Sequence, residues 1–311
     1  MRASLTNRFH GAILAKDIKE KASLKDQICT RLLALLPKPS SVDWQTVSAA
    51  VWRTQRWHAG FVSHSSVDDI TLDDLIHIDD QKSRLVGNTQ QFLAGLPANN
   101  VLLWGARGTG KSSLVHALLN EFSDDGLRLV EVHKSDLTSL AEIVTELAEL
   151  PHRFIVFCDD LSFEIEDASY KELKSALEGS IFKTARNVLI YATSNRRHLV
   201  PEYMSDNQTA RMVDGELHEG EAVEEKISLS DRFGVWLSFY PFKQDAYLVV
   251  VKHWVAKIAA EHEVHIDVED LDMRGAALRW ALARGVRNGR TAQYFARDWV
   301  GQKSLTINGL N

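Results

Sequence analysis

Val101-Leu-Leu-Trp-Gly-Ala-Arg-Gly-Thr-Gly-Lys-Ser-Ser113 runs from a short apolar stretch through a glycine-rich turn to a lysine and two hydroxyl residues. Ser113-Leu-Val-His-Ala-Leu-Leu119 then carries helical spacing. A strand, Gly-x-x-x-x-Gly-Lys-Ser and a helix in this order form a phosphate-binding loop. Gly105, Gly108 and Gly110 let the chain turn tightly and aim backbone N–H groups at phosphate oxygens, and the helix N-terminus adds partial positive charge at the same point. Gly105, Ala106, Arg107, Gly108, Thr109, Gly110, Lys111, Ser112 and Ser113 are therefore the expected contacts of ATP. Lys111 is expected at the β- and γ-phosphates, and the Ser112 hydroxyl at Mg²⁺.

Outward from this loop, apolar runs of strand length alternate with helical patterns. The runs are Val101–Trp104, Leu127–Val132, Phe154–Cys158, Val188–Ala192 and Val235–Phe239. This rhythm predicts an α/β fold, a three-layer P-loop sandwich on a central parallel five-stranded sheet. Residues 80–94 read as a helix closed by Gly95 and Pro97. From Pro241 onward only helical patterns occur, over 243–262, 267–284 and 289–301, which predicts a helical lid over 242–311 after an α/β domain over 72–241. Upstream, 1–71 reads as a small helical region with a connector. Residues 20–36 place Leu24, Ile28, Leu32 and Leu35 at helical spacing. Trp44, Val47, Val51 and Trp52 suggest a second helix over 43–57, and 58–71 is polar. The acidic, glycine-containing stretch 203–226 reads as an exposed loop or insertion.

The bulk numbers set limits. A chain of 311 residues with 45% hydrophobic and 25% charged residues is long enough to bury a core without disulfides. Its two cysteines, Cys29 and Cys158, lie in apolar surroundings and read as buried thiols of a reducing compartment. A net charge of −6 gives no overall attraction to nucleic acid. No apolar run reaches the ~18 residues of a membrane span and no signal peptide is evident, so the expected location is the cytoplasm. His262-Glu-Val-His265 lacks the spacing of a helical zinc site. The tryptophans near the N-terminus read as packing residues, with stacking on single-stranded nucleic acid as the lesser alternative.

Asp159-Asp160 ends the third run, at the carboxyl edge where ligands sit in open α/β sheets. Asp159 is expected at Mg²⁺, and Asp160 to orient or deprotonate the attacking water, with Glu164 in reserve; a helix cap is the plainer alternative. The order of strand, P-loop, helix, strand, acidic pair, strand and helical tail resembles the AAA+ ATPases. That resemblance implies a polar sensor at Asn195, within Ala192-Thr-Ser-Asn-Arg-Arg197. Ser230-Asp-Arg-Phe-Gly234 is similar to the segment bearing the arginine finger in bacterial replication initiators and in the branch-migration motor of Holliday junctions. It implies that Arg232 acts in trans on a neighbouring subunit's ATP; pairing with Asp231 is the alternative. Arg290, with Arg287 second, matches the second sensor, although a plain basic helix face remains open. Ile76, His77 and Ile78 sit where the family closes over adenine.

From about residue 50 the chain also resembles one bacterial AAA+ group known only as domain of unknown function 815. Asn99–Ser113, Phe157–Glu164 and Ala192–Asp206 carry that match. The resemblance implies ATP binding and hydrolysis in a homo-oligomer that remodels or loads an unidentified protein or nucleoprotein client. The Asp at 160, where the family more often has Glu, points to a second reading: a nucleotide-gated loader or adaptor with little intrinsic hydrolysis.

Overall fold

The computed structural model describes residues 42–55, 58–64, 68–163, 167–178, 185–197, 199, 211–213, 216–218 and 229–307. Contacts divide the chain into two units, 1–41 with 54–60 and 42–53 with 61–311. Of the first, only the adjoining ends of two strands are described. The predicted helix at 20–36 and most of the acidic stretch 203–226 lie outside the described residues.

The strands are β1 (Ala49–Gln55), β2 (His58–Ser63), β3 (Val101–Gly105), β4 (Leu127–Glu131), β5 (Arg153–Cys158), β6 (Val188–Ser194), β7 (Arg211–Val213), β8 (Glu216–His218) and β9 (Val235–Phe239). The helices are α1 (Asp79–Leu93), α2 (Lys111–Phe122), α3 (Leu140–Ala148), α4 (Ala168–Glu178), α5 (Gln244–Glu261), α6 (Leu271–Arg284) and α7 (Gly289–Ile307). One sheet runs β2-β1-β4-β5-β6-β3-β9, and β7 pairs antiparallel with β8. All five expected strands are present and pair in parallel.

The expected five-stranded count is corrected to seven strands. β1 pairs in parallel with β4 through Ala49–Leu129, Ala50–Val130 and Val51–Glu131, so the described part of the expected helix over 43–57 is no helix and 58–63 no mere connector. Ala49, Ala50, Val51 and Trp52 are all buried. A strand covered on both faces shows no alternation, which left the chance helical spacing of Trp44, Val47 and Val51 as the visible pattern. Asp43 closes only a local turn. Its carboxylate accepts from Gln45 N at 3.1 Å and its carbonyl from Val47 N at 2.9 Å, closing a turn. Arg128, 8% exposed, holds that turn by donating Nε to the Trp44 carbonyl at 2.7 Å.

The period of two sorts the central strands. Val101, Leu103, Leu129, Ile155, Phe157, Tyr191 and Leu237 share one core with Leu114, Val115, Leu118 and Phe122 of α2 and with Leu85 and Phe92 of α1. Each large side chain buried this way contributes about 1.5–3 kcal/mol. One polar knot crosses that core. Tyr191 Oη accepts from Asn88 Nδ2 at 3.0 Å and lies 2.9 Å from Thr89 Oγ1, while Asn88 also pairs with the Asn99 main chain. The start of β3 is thereby fastened to α1. The C-terminal helices have a core of their own, with Tyr247, Val251, Trp254 and Val255 of α5 packed on Met273 and Ala277 of α6 and on Ala292, Phe295 and Val300 of α7. Among the described residues, no helix is long and apolar enough to cross a membrane.

Candidate nucleotide-binding site

β3 ends at Gly105, whose φ is 132°. A Cβ there would lie 2.0 Å from the Phe239 carbonyl oxygen, so only glycine lets β3 and β9 run together up to the loop. Thr109 Oγ1 donates to the Ala106 carbonyl at 2.7 Å and closes the loop. Gly110, in the left-handed region, then starts α2. Lys111 sits on the first turn and is 7% exposed. Its ammonium donates to the Gly105 and Ala106 carbonyls, both at 2.8 Å, and to Asn195 Oδ1 at 3.3 Å. Burial lowers the Lys111 pKa. Asp159 and Asp160 oppose that shift, and Arg290 and Arg107 add to it. A cation dried in this way, with neutral oxygens as its nearest partners, gains strongly from an arriving phosphate.

The carboxyl ends of β5 and β6 supply the acidic side. Asp159 Oδ1 accepts from Ser112 Oγ at 2.6 Å and from Thr193 Oγ1 at 2.5 Å. The same Thr193 oxygen accepts the Asp160 backbone N–H at 2.8 Å. Asp160 has a φ of 51°, and its carboxylate accepts from Asn195 Nδ2 on Oδ1 and lies 3.5 Å from Arg107 Nη2 on Oδ2. Ser112 and Asp159 offer one hydroxyl and one carboxylate side by side. Hard oxygen donors in so small a number suit Mg²⁺, which keeps several waters and shares its shell with phosphates. Among the described residues, no group of three or more His, Cys, Asp or Glu is arranged to hold a metal without such help.

These groups face one cavity of about 570 Å³. It is lined by the loop residues Arg107–Ser113, Asp159, Asp160, Thr193, Asn195 and Arg290. Ile70, Leu75, Ile76, Ile78, Phe242, Val250 and Trp254 add apolar side chains to the lining, and Asp68, Asp74, Gln293, Tyr294 and Arg297 further polar ones. Asn120 of α2 holds part of that lining by donating to the Asp68 and Ile70 carbonyls, both at 2.8 Å.

The predicted residues do not all meet there. Gly105 and Ala106 contribute carbonyls to Lys111 and do not line the cavity. Ile76 and Ile78 line it but His77 does not: with a φ of 63° its ring comes 6.4 Å from Phe242. Arg290 lines it and Arg287 does not; the Arg287 carbonyl accepts Phe242 N–H at 2.7 Å. Arg232 is exposed, outside the cavity lining, on a turn in which its N–H donates to the Leu229 carbonyl at 3.2 Å. Glu164 lies outside the described residues.

Three residues escaped the sequence reading. Thr193 ties both aspartates together, and its place two before Asn195 on a strand end was the available signal. Asn288 and Asp74 act across long sequence separations. Asp74 accepts from Thr71 N–H and Oγ1 at 2.8 and 2.9 Å and from Lys257 Nζ at 2.6 Å, and lies 2.9 Å from His253 Nε2.

The fold resembles solved AAA+ structures. A point mutant of Thermotoga maritima RuvB aligns with a TM-score of 0.51 at 18% identity, over 78% of this chain and 68% of that one. A second point mutant of the same protein gives 0.51 at 18%, over 77% and 67%. The Aeropyrum pernix ORC1 protein, solved in complex with DNA, gives 0.47 at 17%, over 70% and 57%. No curated protein matches the chain. At such identities the likeness to RuvB concerns the fold alone. Residues 45–303 match a family model described as "Protein of unknown function (DUF815)", and this chain, with its AAA+ fold, belongs to that family.

Proposed function

We propose that this protein is an ATPase of the AAA+ class that binds ATP with Mg²⁺, hydrolyses it where two copies meet, and uses the cycle to remodel or load a protein or nucleoprotein client in the cytoplasm. One observation carries the reading: Lys111, the Ser112–Asp159 pair and the Asp160–Asn195 pair, from three separate elements, converge on one cavity that apolar side chains also line. Lys111 and the loop amides bind the phosphates, and the cavity-lining Ile76 and Ile78 pack on adenine. Mg²⁺, held by Ser112 and Asp159, neutralises charge on the β- and γ-phosphate oxygens when bound. Asp160 orients water and accepts its proton, Asn195 sets the distance between Asp160 and Lys111, and Arg290 answers from the helical lid over 242–311. Arg232, exposed and outside its own cavity, is suited to stabilise charge on a neighbour's phosphoryl group.

Complementation tests this arrangement. Arg232→Ala and Lys111→Met subunits, each inactive alone, should regain part of the turnover when mixed, because one kind keeps an intact finger and the other an intact loop. Full turnover by a strictly monomeric protein would reject the shared site.

A second reading has its own observation. Both oxygens of Asp160 are engaged, by Asn195 and by Arg107, and Asp is a methylene shorter than Glu. This favours a nucleotide-gated adaptor with slow hydrolysis until a client frees the carboxylate. Basal ATPase measured with and without DNA or cell extract separates the two, since high unstimulated turnover contradicts the adaptor.

A further inference from the structure

The start of α7 grips the phosphate loop by its main chain. Asn288 Nδ2 donates to the Arg107 carbonyl at 2.7 Å, and Arg290 N–H donates to the Gly108 carbonyl at 3.1 Å. In a planar trans peptide the carbonyl and the following N–H point opposite ways. Holding these two carbonyls therefore sets the direction of the Gly108 and Thr109 N–H groups, both belonging to residues that line the cavity.

Asn288 is 5% exposed and uses both ends of its amide. While Nδ2 holds the loop, Oδ1 accepts Thr291 N–H at 2.8 Å and caps α7. The approach is close. A Cβ on Gly108, whose φ is 73°, would lie 2.7 Å from Asn288 Nδ2 and 2.9 Å from Arg290 Cβ. Rotation of α7 must carry two loop peptides with it or break both bonds.

We infer that Asn288 is a positioning residue through which the lid sets the amide directions of the phosphate loop, so that affinity for a nucleoside diphosphate follows lid angle through the main chain as well as through the Arg290 side chain. The affinity part rests on the nucleotide reading above; the amide part does not.

Two variants separate the roles of the side chain. Asn288→Asp keeps the capping oxygen but loses the donor and sets a carboxylate against the Arg107 carbonyl. Asn288→Ser keeps a capping hydroxyl too short to reach the loop, without adding charge. Asn288→Ser, which caps comparably and loses one buried hydrogen bond, should lower the melting temperature by no more than about 4 °C, and Asn288→Asp, which also buries a charge, by more. In the nucleotide-free full chain, hydrogen exchange over residues 106–112 should rise about fivefold or more, with α6 unchanged, and ADP should bind about tenfold more weakly. Wild-type exchange over 106–112 in both variants would overturn the inference and leave Asn288 a helix cap. Faster exchange with unchanged ADP affinity would overturn it too, because loop direction would then not govern binding. If the wild-type protein itself binds no ADP, the nucleotide reading fails, and exchange alone decides whether Asn288 holds the loop.

Discussion

Thr193→Val removes one hydroxyl at nearly constant shape, from a side chain 1% exposed. That hydroxyl donates to Asp159 Oδ1 at 2.5 Å and accepts Asp160 N–H at 2.8 Å. A hydrogen bond to a charged group is worth about 1.5–3 kcal/mol and one to a backbone amide about 1. Both aspartates are exposed, so water replaces part of each, and the folding loss should be about 1–2 kcal/mol by urea denaturation. Function should suffer more. Asp159 keeps only the Ser112 donor, and Asp160 loses the bond that holds its left-handed backbone (φ 51°) in place. A loss of about 2 kcal/mol in transition-state stabilisation is about 30-fold in kcat, accompanied by a higher Mg²⁺ requirement. Thr193→Ser, which retains the hydroxyl, should recover most of both. Wild-type kcat and Mg²⁺ dependence in Thr193→Val would refute the reasoning. Equal damage from Thr193→Ser would assign the effect to methyl packing.

Gly105→Ala should cost more than about 3 kcal/mol or prevent folding, because its Cβ would overlap the Phe239 carbonyl at 2.0 Å; circular dichroism and urea melts read this directly. Burial alone would raise the Asp74 carboxyl, but Lys257, Thr71 and His253 outweigh it and hold the pKa at about 2, below the ordinary 3.8. The depressed value means that this stability is fully present above the unfolded pKa and is lost as pH falls from about 4 towards 2. Asp74→Asn should therefore lose about 2–3 kcal/mol at pH 7, and its gap from wild type should narrow over that acid range. Lys111→Met should abolish the stabilisation of about 2.7 kcal/mol expected from ATP at a hundred times its Kd, read as a thermal shift with and without nucleotide.

Most of the sheet was legible because its strands are short apolar runs bounded by turn residues, and the phosphate loop announces itself through glycines that no other residue could replace. β1 was missed for a physical reason. β1 is buried on both faces, so Ala49–Trp52 lacks the alternation that marks a strand, while Trp44 packs edge-on at 5.0 Å from Phe154 and at 5.6 Å from Phe61. Its apolar spacing records those contacts and no helix period.

The site divides along a different line. Lys111, Ser112, Asp159 and Asn195 act through side chains on atoms near the cavity, and chemistry of that kind restricts residue type at fixed spacing. Asn288 acts on the carbonyl of Arg107, 181 positions away, and Asp74 on Lys257, 183 positions away. A main-chain carbonyl accepts from any donor, so nothing in the residue type at 107 points to a partner at 288. His77 and Arg287 show the converse. Both have suitable chemistry and lie close in sequence to a group that lines the cavity, yet neither lines it. In this fold the residues proposed to make first contact with phosphate are written in local sequence. Those proposed to couple the lid to the loop are set by packing of α5 and α7 against the turn at Thr71–Asp74 and the loop at Arg107–Gly108. Changes at Asn288 and Asp74 should therefore alter the coupling between nucleotide and lid while the phosphate-binding motif stays intact.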